Sequence, residues 1–65
     1  MNKYECFLRC DEKVGDFWRE DLSAGSVVVE APSKRDAVRI APKVMRQSRD
    51  CSSLSNLRVV NARRF

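Results

Sequence analysis

The most informative absence from this 65-residue sequence is histidine, which does not occur at all. Histidine is the usual general base near neutral pH, so its absence removes the most frequent acid–base and nucleophilic arrangements. Only two glycines are present, and they form no glycine-rich phosphate loop. No serine, cysteine or lysine has an evident base beside it. We therefore expect no catalytic residues and no cofactor, and we do not expect an enzyme.

Cysteine is scarce, and its number, three, is odd, which is not typical of a disulfide framework. Cys6 and Cys10 lie four residues apart on a predicted strand, a distance of roughly 13 Å. A disulfide tolerates a Cα separation of only about 7 Å. Structural zinc takes four cysteine or histidine ligands, and the acidic residues fit no calcium-loop spacing. We therefore expect buried thiols and no metal.

Long apolar runs are also missing. No segment approaches the ~18 residues that cross a bilayer, and the N-terminal stretch MNKYECF has no apolar region typical of a signal peptide. A composition of 43% hydrophobic and 34% charged residues is globular. The length is near the lower limit for independent folding. We expect one cytoplasmic domain over residues 1–65, without membrane contact and without a large enclosed active site.

Positive charge is concentrated in the C-terminal part of the chain. Residues 1–25 carry four cationic and six acidic side chains, a net charge of −2. Residues 26–65 carry nine cationic and three acidic side chains, a net charge of +6. This division predicts either ion pairs between the two parts or a basic surface offered to an anionic partner.

Residues 3–10, KYECFLRC, alternate with a period of two, which predicts the first strand. Its uncharged even-numbered side chains, from Tyr4 to Cys10, should face the core. The outer face then carries Phe7 among charged side chains, either as a stacking platform for a base or as ordinary cover of a solvated sheet. Together with arginines of the last strand it forms the first set of candidate contacts: Phe7, Arg9, Arg58 and Arg64.

Residues 11–25 allow two interpretations. A turn is expected around Gly15, and Gly25 suits another turn or a helix end. Between them the chain forms either a helical turn capped by Asp16 or a short strand. Trp18 is expected in the core because its large apolar surface is costly to leave in water, and an anchor for a partner is the alternative. This acidic and aromatic loop supplies the second set of candidate contacts: Asp16, Trp18, Glu20 and Asp21.

A strand over residues 26–31 is followed by a helix over residues 33–49, because the apolar spacing changes from two to that of a helix. Ser33 suits the N-cap, with Asp36 at the third helical position. Pro42 either bends one helix or starts a second. The arc expected to face the core comprises Ala37, Val38, Ile40, Ala41, Val44 and Met45.

The opposite face of this predicted helix is basic. A run of one charge suits an anionic partner, whereas a solvated helix face is the simpler interpretation. It provides the third set of candidate contacts, the basic stripe: Arg35, Arg39, Lys43, Arg46 and Arg49.

Residues 57–64 predict the last strand, because β-branched residues are enriched there. In one register Leu57 and Val59 face the helix. In the other, Val60 and Ala62 do. Alternation alone does not choose between them.

Together these elements predict an α+β fold of order β-β-α-β, a small two-layer sandwich. One helix packs on an antiparallel or mixed sheet of three strands, or of four if residues 16–24 form one.

The strand-to-helix segment combines a helix cap with small residues in the pattern Val27-x-Val29-x-Ala31-x-Ser33-x-x-x-Ala37-x-x-x-Ala41. This pattern resembles that of small phage- and plasmid-encoded α+β proteins, some anti-CRISPR proteins among them. The resemblance covers about fifteen residues and implies an accessory protein that acts by stoichiometric binding. It transfers no functional residue.

Two functions follow as hypotheses. The first is an inhibitor or accessory protein that binds a host protein or nucleoprotein complex through the loop and the basic stripe. The second is a domain that binds DNA or RNA directly, with the stripe on phosphates and the sheet face on bases. The oligomeric state is open, because the sheet edges are exposed and flanked by arginines.

Overall fold

A computed structural model describes residues 1–48 and 54–65 of the chain. They form strand β1 (Asn2–Val14), strand β2 (Phe17–Ala31), helix α1 (Lys34–Ser48) and strand β3 (Leu54–Arg64). The three strands make one antiparallel sheet in the order β2-β1-β3, and α1 packs on one of its faces. This confirms the predicted α+β fold and its β-β-α-β order, with three strands rather than four.

The first two strands form a long hairpin. The segment before Gly25, for which the sequence allowed either a helical turn or a strand, is part of β2. Val14 pairs with Phe17 across a two-residue turn. Gly15 is its first residue, with φ of 60°, as in type II′ turns. The strand interpretation prevails because pairing with β1 satisfies the backbone of the whole segment. Gly25 forms neither a turn nor a helix end. It lies inside β2, opposite Leu8.

The register of β3 is neither of the two alternatives, because a β-bulge interrupts the strand. Phe7 is opposite Asn61, but the next residue of β1, Leu8, is opposite Val59. The extra residue, Val60, resets the alternation between the two sides of the bulge. As a result Val59 packs on the core and Ala62 is buried as well.

The core lies between the sheet and α1, with β1 at its centre. The even-numbered face of β1 points inward as predicted, and Cys6, Leu8 and Cys10 are buried. From the helix, the residues at i, i+4 and i+8 are completely buried: Ala37, Ala41 and Met45. Small alanine side chains let the helix approach the sheet closely, and methionine fills the remaining space.

One member of the predicted core arc is misplaced. Val38 is 38% exposed, because it lies at the edge of the helix face and not over the sheet. Ile40 and Val44, on the other side of the row of Ala37, Ala41 and Met45 from Val38, are half-buried and pack on the core. The face that the helix buries is therefore narrower than the apolar arc in its sequence.

The start of α1 is held by the predicted cap. The Ser33 hydroxyl accepts a hydrogen bond from the Asp36 backbone N–H at 3.3 Å and donates one to the Asp36 carboxylate at 3.1 Å. The Ala37 backbone N–H donates to the Ser33 carbonyl at 3.0 Å. The helix runs through Pro42 without a break, so the interpretation as two shorter helices is wrong. The predicted helical residue 49 lies outside the described residues.

Candidate partner-binding surfaces

The described part of the basic stripe is exposed on α1. Arg35, Arg39, Lys43 and Arg46 all point to solvent, and Lys34 extends the positive surface to the first helical position. Arg49 lies outside the described residues. Arg39 is 3.5 Å from the carboxylate of Asp36, an exposed pair on one helix that contributes little. In the segments that the structure covers, no other helix cation has a carboxylate within ion-pair distance.

The sheet face away from α1 behaves differently, because its arginines are engaged inside the molecule. Arg9 donates from Nε to the Asp21 carboxylate at 2.7 Å, and Arg58 donates to the same oxygen at 2.9 Å. Arg9 also donates to the Asp21 backbone carbonyl at 2.5 Å. The Asp21 carboxylate of β2 thus pairs with Arg9 of β1 and with Arg58 of β3. Two residues of the first set of candidate contacts are therefore bound to a residue of the second set.

Asp11 is the second anion of this network. It accepts a hydrogen bond from the Asp21 backbone N–H at 2.9 Å and one from the Asn56 side-chain amide at 3.3 Å. The guanidinium of Arg58 is 3.7 Å away. The Asp21 hydrogen bond lowers the pKa of Asp11, with smaller contributions from Asn56 and Arg58 against an opposing effect of desolvation.

Asp21 and Asn56 both have positive φ, 57° and 53°, and each lies in a register shift of its strand opposite the segment from Arg9 to Glu12. Aspartate and asparagine are the side chains that best tolerate this conformation. The central strand therefore has a bulge on each side, and the Asp11 carboxylate bonds to both.

Phe7 is half-buried on the same outer face, and an arginine covers its ring. The Arg63 guanidinium lies 5.6 Å from the ring centroid and donates to the Glu5 carboxylate at 2.8 Å. The position predicted for Arg64 is thus occupied by Arg63. Arg64 is opposite Tyr4 in the ladder, shares its inner face and donates to the Asn2 side chain at 2.8 Å. A bulge shifts this pairing, so the sequence pattern misassigned the face.

The tip of the β1–β2 hairpin is aromatic and exposed. Trp18 is 53% exposed and Phe17 is 76% exposed, so the expectation of a core tryptophan is wrong. The hairpin continues past Cys10 and its ladder partner Leu22, and the described residues of β1 and β2 beyond this pair do not belong to the core. We call Phe17 and Trp18 the aromatic tip. Among the acidic candidates, Asp16 and Glu20 are exposed beside it, whereas Asp21 belongs to the network.

Sequence reasoning missed four residues that the fold brings into these surfaces: Asp11, Phe17, Asn56 and Arg63. Phe17 could have been found, since it adjoins both Trp18 and the predicted turn. Asp11, Asn56 and Arg63 could not have been found, because each contacts a residue of a neighbouring strand and bulges shift which residues lie side by side.

The cysteines behave as expected where they are described. Cys6 and Cys10 are buried, and Cys51 lies outside the described residues. Burial raises the pKa of the Cys6 thiol above its ordinary value, which keeps the thiol protonated. Over residues 1–48 and 54–65 the structure shows no group of three or more side chains placed to hold a metal ion. The one described helix is too short and too polar to cross a membrane.

Comparison with protein-family models, with curated proteins and with solved structures finds no match to this chain. Functional inference therefore rests on the surfaces described above.

Proposed function

We propose that this protein is a small binding module without catalytic activity, which acts in the cytoplasm by stoichiometric contact with a host protein or nucleoprotein complex. The observation that carries this proposal is the aromatic tip, two adjacent aromatic side chains presented in water at the end of a paired hairpin. The assignment to phage or mobile-element inhibitors, anti-CRISPR proteins among them, stays a prediction from the sequence pattern.

The energetics favour the tip as an anchor. Phe17 has 76% of its surface exposed, so burial against a partner recovers most of the hydrophobic stabilisation of a phenylalanine, roughly 1–2 kcal/mol. Tryptophan is among the residues most enriched at the energetic centres of interfaces. A hairpin held by a backbone ladder presents both side chains with little loss of backbone entropy on binding.

The distribution of free charge favours a partner with an anionic surface near an apolar one. Arg9, Arg58 and Arg63 are paired on the sheet, so the uncompensated positive charge of the described residues is concentrated on α1. A nucleoprotein complex offers both kinds of surface, because its protein and its nucleic acid lie side by side.

Affinity capture tests the proposal with a matched pair of variants. Phe17→Ala removes an aromatic ring that is 76% exposed at the tip, and Phe65→Ala removes one that is 74% exposed at the other end of the sheet. We expect the tagged wild type and Phe65→Ala to retain a stoichiometric host protein after nuclease treatment. Phe17→Ala and Trp18→Ala should each lose about tenfold in affinity. Equal retention by all four proteins would refute the role of the tip.

A second candidate function, direct binding of DNA or RNA, is favoured by the exposed cations of α1. Arg46 has no carboxylate within ion-pair distance in the parts of the chain that are described, whereas Arg63 is paired with Glu5. If the helix contacts phosphates, Arg46→Ala should weaken binding of every sequence alike and reduce the salt dependence by about one charge, while Arg63→Ala should change little. Fluorescence anisotropy of a labelled duplex at several salt concentrations measures both. Absence of binding at low salt would exclude this function.

A further inference from the structure

A small groove separates α1 from the edge strand β3, away from the aromatic tip. Its volume is about 200 Å³, and its lining residues are Lys34, Val38, Val59, Val60, Asn61 and Ala62. Pockets for cofactors and drug-sized ligands are typically larger, ~300–1,000 Å³. A groove of this size suits one apolar side chain of a partner.

The bulge in β3 lies in the wall of this groove. In a regular strand, successive side chains point to opposite faces of the sheet, so those of Val59 and Val60 would point away from each other. The bulge resets the alternation, and both valines lie along the groove. Val60 is 55% exposed and lines the groove together with Val38 of α1, which is 38% exposed. Bulges commonly re-aim a side chain beside a functional site.

The surroundings of this apolar groove are basic. Lys34 lies in its wall, and Arg35 and Arg39 line the adjoining depression on the other side of Val38. On β3, Arg58 and Arg63 are paired with carboxylates of the outer sheet face, whereas Arg64, on the inner face, contacts the uncharged Asn2 side chain. Among the described residues that line the groove and the depression, Asp36 is the one acidic residue, and it is engaged with Ser33 and Arg39. The groove therefore suits an occupant that pairs an apolar side chain with negative charge.

We propose that the groove between α1 and β3 is a second binding site, which takes an extended acidic peptide segment of a partner protein and buries one apolar side chain of that segment between Val38 and Val60. The negative residues that flank this side chain meet Lys34 and its arginine neighbours. Because the bulge interrupts the strand edge, side chains rather than a continuous β-ladder hold the peptide.

The positive charges on β3 disfavour a second copy of this chain as the occupant of the groove. Antiparallel pairing of β3 with β3 of another copy would bring the arginines of the two strands together, and of these Arg58 and Arg63 are already paired with carboxylates of their own sheet, whereas Arg64 contacts the uncharged Asn2 side chain. Like charges that face each other across strands are destabilising. The basic flank thus disfavours self-association and leaves the site to an acidic segment.

Nuclear magnetic resonance titration of the ¹⁵N-labelled full chain tests the site directly. The probe is a synthetic peptide, acetyl-Glu-Asp-Leu-Asp-Glu-amide. One control peptide has serine in place of leucine, and a second has lysine in place of every acidic residue. We expect the leucine peptide to shift the backbone amides around Lys34, Val38 and Val59–Ala62, with binding at least threefold tighter than for the serine peptide. The lysine peptide should not bind.

Two variants with matched controls sharpen the test. Val60→Ser should weaken binding of the leucine peptide about threefold to tenfold, while Val28→Ser, a 46% exposed valine on the outer sheet face, should not change it. Lys34→Glu should weaken it about tenfold, and the fold should be preserved because the helix N-terminus favours an acidic residue. Lys3→Glu, on the outer face, is its control.

The outcomes decide the proposal independently of the aromatic tip. Shifts spread along the basic stripe, equal binding of the leucine and serine peptides, or no shift at millimolar peptide would overturn it. Shifts that depend on protein concentration without peptide would also overturn it, since they would assign the groove to a second copy. Loss of partner capture by Trp18→Ala with an intact groove titration, or the reverse, separates this site from the proposed function.

Discussion

Met45→Ala provides the sharpest test of how α1 is held on the sheet. Met45 is completely buried in the last described turns of the helix, and it is one of the largest side chains with no exposed surface. Truncation of a buried methionine to alanine costs about 2–5 kcal/mol, depending on how far the cavity collapses. We expect about 3 kcal/mol, because the next residue of the buried helix row, Ala41, has a side chain too small to fill the space.

This loss is large relative to the total free energy of unfolding expected for the chain. A 65-residue chain is expected to have a free energy of unfolding of roughly 3–10 kcal/mol. With a urea m-value of about 1 kcal/mol per molar, the unfolding midpoint should fall by roughly 3 M. Far-ultraviolet circular dichroism measures it better than fluorescence, because Trp18 is half exposed and lies away from the core.

Gln47→Ala is the matched control, since Gln47 lies two residues further along the same helix and is exposed. Its free energy of unfolding should stay within about 0.5 kcal/mol of that of the wild type. If Met45→Ala loses less than about 1 kcal/mol with an unchanged m-value, the helix does not pack on the sheet as described. A changed m-value would instead indicate an altered unfolded state.

Three further predictions follow from individual contacts. The hydrogen bond from Asp21 lowers the pKa of Asp11 below its ordinary 3.8, so this carboxylate stabilises the fold above that pH and the contribution is lost as the pH falls through the lower folded-state pKa. Asp11→Asn should therefore reduce the urea midpoint at pH 7 and have less effect at pH 2, and an equal loss at both would contradict the linkage. Ser33→Ala removes the helix cap and should cost about 0.5–2 kcal/mol in the same denaturation assay, whereas Ser33→Thr keeps a hydroxyl that can accept from the Asp36 N–H and donate to its carboxylate, and should stay close to the wild type. Cys6 should react with iodoacetamide at pH 8 only after unfolding in urea, as mapped by mass spectrometry, and rapid labelling of the native protein would show that the site is open.

The internal charge pairing changes how the basic character of this protein should be interpreted. The sequence allowed either ion pairs between its acidic and basic parts or a basic surface, and both occur in different places. Glu5, Asp11 and Asp21 pair with arginines on the sheet, whereas the exposed helix cations keep their charge available. Electrostatic contacts with a partner should therefore come from α1.

From the sequence, the candidate surfaces could be described mainly by the types of residue they contain, and less well by where those residues lie in the fold. The stripe on α1 was predicted correctly where it is described, because helical spacing places residues such as Arg35 and Arg39 on one face. The aromatic tip was not, because the apolar area of Trp18 suggested burial, and only the tertiary structure shows that the hairpin extends beyond Cys10, the last buried residue of β1. The groove beside Val60 has no sequence signature, because it lies between two elements that meet only in the folded chain.

The sequence by itself determined the order of the elements, the inward face of β1 and the cap of α1. These depend on residues within a few positions of one another, where periodicity and local hydrogen bonding act. Tertiary structure alone decided the bulges, the face that Arg64 occupies, the exposure of Trp18 and the pairing of Arg58 with Asp21, 37 residues away. Such features depend on which strand lies beside which and at what register, and an inserted residue in one strand shifts every partner beyond it.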